Sequence, residues 1–135
     1  MNYGFHVRLQ AGFEETVERV IEALQTEGFG LLADMDVAAT LKAKIGVDRP
    51  PYRILGACNP PLARQAIDAE PDIGLLLPCN VVVRQDGEDV VVAFMDPAAV
   101  LGLVGRPELA ELGDDVRGRL ERVRDLLVDG PGGGA

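Results

Sequence analysis

The residues of this sequence best suited to chemistry are two cysteines, each beside an asparagine and a proline: Cys58-Asn59-Pro60 and Pro78-Cys79-Asn80. A thiol where a strand ends and a helix begins gains from free backbone amides and the positive end of the helix dipole, which favour the nucleophilic thiolate. Cys58 occupies such a corner. Asn59 reads as the cap of the helix that Pro60 opens. Asn80 interrupts the apolar run 75–83, where a buried amide without partners costs about 1–3 kcal/mol, so it ties down a loop or faces a cavity. Pro78 removes a ladder donor from the same run and implies an edge, a bulge or a local opening of the sheet. An opening there makes a recess, and Cys58, Asn59, Cys79 and Asn80 are its candidate ligand-binding residues.

Three functions compete on these residues. The first is a domain that binds or senses a small ligand, or a reactive sulfur species, in the recess. The second is an enzyme with Cys58 as nucleophile, for which His6, the one histidine, is the sole available imidazole base. The third is a structural module, dimeric through exposed apolar surface, whose cysteines pack as small hydrophobes. Two cysteines and His6 match none of the paired spacings of metal sites, so no metal is assigned, and no cofactor is identified. The chain has no serine, no phosphate-binding loop and no dinucleotide fingerprint.

Composition narrows the class. A chain of 135 residues, 47% hydrophobic, is the usual size of one domain and buries a core without disulfide or metal staples. The net charge of −9 argues against nucleic acid and anionic membranes, whose affinity is built on clustered Lys and Arg. No apolar stretch is long enough to span a bilayer, and the first residues lack a secretory pattern, so a cytoplasmic location with reduced thiols is expected.

The elements that position the cysteines follow from periodicity. Residues 2–9 alternate as a half-buried strand, with Tyr3, Phe5, Val7 and Leu9 on one side. From Phe13 the spacing changes to that of an amphipathic helix through Val17, Val20, Ile21 and Leu24, which Gly28 ends. Strand 29–35 and a short helix from Val37 to Gly46 come next, and the paired prolines 50 and 51 make a loop. Strand 53–58 runs into a helix over 61–69, and residues 73–84 read as the longest strand. The turn 85–88 makes a hairpin with strand 89–95. Helices over 97–103 and 107–128 follow, the latter with Leu109, Leu112, Val116, Leu120, Val123 and Leu127 on one stripe. The order βαβαβαββαα suggests a two-layer α+β domain over 1–128: a mixed sheet of about five strands covered by helices, with a purely parallel sheet as runner-up. Residues 129–135 read as a flexible glycine-rich tail.

The elements Gly56-Ala57-Cys58-Asn59-Pro60, Ala63, Ala66, the run 73–81 and Met95-Asp96-Pro97 together resemble a bacterial and archaeal family, the domain of unknown function 302. The resemblance covers about residues 1–128. It implies a compact α+β fold and a homodimer, and it brings no activity and no catalytic residues.

Overall fold

The computed structural model describes residues 1–129; the glycine-rich tail beyond them lies outside the described residues. Five strands and five α-helices alternate as expected: β1 (Gly4–Leu9), α1 (Phe13–Thr26), β2 (Gly30–Asp36), α2 (Val37–Ile45), β3 (Tyr52–Cys58), α3 (Pro60–Ala69), β4 (Cys79–Asp86), β5 (Asp89–Met95), α4 (Pro97–Gly102) and α5 (Pro107–Asp129). The strands form one sheet in the order β1-β5-β4-β3-β2. The α+β class and the element order stand, but the pairing is not mixed.

Each neighbouring pair of strands is antiparallel. The reason lies in the connections. The segments holding α2 and α3 leave one end of the sheet and return to the same end, so the strands they join run in opposite directions. Only the segment holding α1 crosses from one edge to the other, and the strands it joins, β1 and β2, are not neighbours. The parallel alternative is excluded with them.

The run 73–84 is not one strand. Its first part is a 3-10 helix, Pro71–Leu76, and β4 begins only at Cys79. Glu70 caps that turn, its carboxylate accepting from the Asp72 amide at 3.3 Å, and Pro71 supplies the fixed φ of a first helical residue. Of the apolar residues 73, 75, 76 and 77 only Ile73 is buried, and Leu75 is 86% exposed. Apolar content alone therefore overstated the strand. Pro78 stands just ahead of β4 rather than inside it, so it interrupts no ladder.

One face of the sheet carries the core. Leu55, Ala57, Val81, Val83, Val90, Val92 and Phe94 alternate onto it and are buried, together with Leu9 at the end of β1. Helices α1 and α5 pack there, bringing Val17, Val20 and Leu24 from one and the expected stripe from Leu109 to Leu127 from the other. Each such side chain withdrawn from water contributes about 1.5–3 kcal/mol. The opposite face, with His6, Arg8 and Asn80 exposed, carries no comparable helix layer. Edge strand β2 is held at its inner side by Arg53 of β3, which pairs with Asp34 and, at 3.0 Å, with Glu14 of α1. None of the residues of β2 or α2 is buried.

Candidate functional site

Antiparallel pairing lays the end of β3 against the start of β4, with Ala57 directly opposite Cys79. Cys58 and Cys79 are therefore close across the ladder. Both are free thiols, Cys58 half-buried and Cys79 buried. Burial pushes the Cys79 thiol up to about 11, and the neighbouring charge of an ionised Cys58 pushes the same way. At pH 7 only about one Cys79 in ten thousand is a thiolate. It is a poor nucleophile and a good packing group.

The two cysteines border a recess of about 250 Å³ at this end of the sheet. Leu62, Ala63 and Ala66 of α3 form one wall, Leu101 of α4 with Leu112 and Val116 of α5 another, and Leu77 and Met95 lie between. A bulge between Leu31 and Ala33 frees Leu32 from the β2 ladder, and Leu32 also lines the recess. These walls are aliphatic, and the residues that make them read in the sequence simply as helix stripe or core. No polar signature marks them.

Asn59 is the one amide at the recess, and both ends of its side chain are engaged. The Leu62 N–H donates to Oδ1 at 3.5 Å, capping α3, and Nδ2 donates to the Glu27 carbonyl at 3.1 Å. The second bond ties α3 to the end of α1. It needs Gly28, whose φ of +85° favours glycine and where a Cβ would stand 2.9 Å from Nδ2. Asp96 has a similar structural task. Its carboxylate accepts from the Ala98 N–H at 2.9 Å to start α4 and pairs with Arg117, whose guanidinium lies 5.2 Å from the centre of the Phe5 ring.

Of the four candidates, Cys58, Asn59 and Cys79 come together at the recess, and Asn80 does not. It follows Cys79 by one residue, so the strand's alternation turns it to the open face. His6 is also on that face, on β1 beside Ala93. In the register His6–Ala93–Val82–Ile54 it is three strands across and four residues along from Cys58, roughly 20 Å at about 4.8 Å per strand and about 3.3 Å per residue. Cys79, two strands across and three residues along, is roughly 14 Å away. A thiol-imidazole dyad needs direct or one-water reach, so this geometry supplies none. Among the described residues no group of three His, Cys, Asp or Glu side chains is placed to hold a metal ion.

The profile of the family described as "Domain of unknown function DUF302" matches residues 5–127. The chain belongs to the DUF302 family. A crystal structure of an uncharacterized conserved DUF302 protein from Bacillus stearothermophilus is similar throughout, with a TM-score of 0.85 and 32% identity over 91% of this chain and 96% of that one. No curated protein matches the chain. Family membership thus extends over the whole recess, including Cys58, Asn59 and Cys79, and carries no activity with it. Among the described residues no helix is long and apolar enough to cross a membrane.

Proposed function

We propose that this DUF302 domain binds a small apolar ligand in the recess beside Cys58 and Cys79. The observation that carries the reading is the contrast inside the site: a hollow of about 250 Å³ with aliphatic walls, whose single amide is bonded to the backbone through both its oxygen and its nitrogen. Such a hollow has room for a short hydrocarbon chain of roughly eight heavy atoms, taking about 30 Å³ for each. Its walls offer no charged group to orient a hydrophilic one. The thiols serve as soft, polarisable wall, and a reducing compartment keeps them free. The enzyme reading loses its base with His6 on the other face.

Titration with 1-octanol tests this, followed through the methyl resonances of Leu62, Leu101 and Leu112. Saturable shifts at those residues are expected. Ala63→Leu, which adds bulk to a half-buried wall position, abolishes them while leaving the fold intact. Shifts spread over the whole surface, or unchanged by Ala63→Leu, defeat the reading.

We also propose a homodimer, because β2 and α2 bury nothing. Leu31, Leu32, Met35, Ile45 and Val47 are between 41% and 68% exposed. A helix of nine residues and an edge strand without a buried side chain have little to hold them, and a second copy supplies the missing surface.

A further inference from the structure

A second hollow, of about 330 Å³, lies on the open face of the sheet and shares only Met95 with the lining of the apolar recess. Strand register lays out its floor. His6, Ala93 and Val82 stand in one row across β1, β5 and β4, and Val91, Arg84 and Tyr52 in the next. At about 4.8 Å per strand, His6 and Val82 are roughly 10 Å apart, with only the methyl of Ala93 between them, the width of one aromatic ring and its contacts. Gly4 keeps the end of the trough low.

The rim differs in kind from the apolar recess. Tyr3, His6, Tyr52, Asn80 and Arg84 line it, so the chain's one histidine and both of its tyrosines meet in one groove. Among the described residues none of these five side chains makes a hydrogen bond with the protein. The Arg84 guanidinium is 3.7 Å from Asp86, whose closer partner is Arg8 at 2.6 Å. Its donors are therefore available. No carboxylate lines the groove, in a chain where 22 Asp and Glu outnumber 13 Lys and Arg.

We infer that this groove is a binding site for a small planar anion of the aromatic carboxylate class. The ring lies on the half-buried floor of Ala93 and Val82, and the carboxylate meets the Arg84 fork. Asn80 and His6 supply further polar contacts at the rim. A second copy on this face is an outcome of the test, because exposed Met1 and Tyr3 also border the groove.

The chain has no tryptophan and its two tyrosines both border the groove, so intrinsic tyrosine emission reads the site directly. Benzoate is the probe, with benzamide and cyclohexanecarboxylate as the neutral and non-aromatic controls. A saturable change with benzoate is expected, and both controls bind several-fold more weakly. Arg84→Gln weakens benzoate about tenfold through loss of the charge-assisted fork, and Asn80→Ala, at an exposed position, weakens it by a smaller factor. Ala63→Leu, in the other hollow, leaves benzoate binding unchanged. The inference is overturned by any of three results: no saturable response, equal affinity in Arg84→Gln and Asn80→Ala, or an emission that changes on dilution without benzoate, which assigns the face to a second copy.

Discussion

Cys79 shows how position decides what a thiol does. Its value near 11 exceeds the ordinary 9.0, so the folded state holds the proton more tightly than the unfolded chain. Stability from this source is complete below about pH 9 and is lost as pH rises from there to about 11, by roughly 3 kcal/mol. Urea midpoints measured from pH 8 to 11 should therefore fall, and fall less in Cys79→Ala, which is less stable throughout. Equal slopes in the two proteins would sink the assignment. At this scale the sequence was partly legible. Asn59 as cap and Cys58 at a strand-helix corner both follow from residue type and neighbours. That Asn80 turns away from Cys79 also follows from strand alternation, but only once β4 is known to begin at Cys79. The second bond of Asn59, to Glu27, joins residues far apart in the chain and leaves no local signal. The recess walls were illegible for a different reason: an aliphatic side chain facing a hollow looks the same in sequence as one facing a core.

Among the elements, α5 carries two glycines with opposite tasks. A Cβ at Gly113 would stand 2.8 Å from the Pro97 carbonyl oxygen and 3.1 Å from the Ala98 Cα, so this glycine lets α4 lie directly on α5. At Gly118 the nearest atom is the end of Arg122 at 3.7 Å, an ordinary contact. The same substitution therefore has opposite signs five residues apart along one helix: Gly113→Ala destabilises by about 1–3 kcal/mol, and Gly118→Ala stabilises by roughly 0.5–1 kcal/mol. Chemical denaturation of the two variants checks both, and a stabilised Gly113→Ala would contradict the packing of α4. Element types were mostly readable, because periods of two and 3.6 are written into 4–9, 13–26 and 107–129. The 3-10 turn at 71–76 escaped because its apolar residues mimic a buried strand, although Leu75 points to water and Leu76 is only half-buried. Strand direction escaped because periodicity says nothing about which end of the sheet a connecting helix returns to.

At the scale of the molecule, one face of the sheet is built into a core while β2 and α2 bury nothing of their own. The proposed homodimer makes a quantitative expectation there. Sedimentation equilibrium should give twice the chain mass of 14.4 kDa, and Met35→Glu, which places a charge on exposed β2, should return the single-chain mass with the helical circular dichroism signal retained. A native chain that sediments as a monomer would remove the second copy from the account of β2 and α2. The ladder between β3 and β4 has a further consequence. Because Cys58 and Cys79 mark neighbouring points on the sheet, everything between them, α3 and the 3-10 turn, is a single flap with both of its roots clamped side by side. The ladder beneath that flap does not depend on it, whereas the core does, since Ala66 and Ile73 of the flap are buried in it. The flap is thus held from above by its buried side chains and by the Asn59 tether to Glu27, and from below only at its two roots.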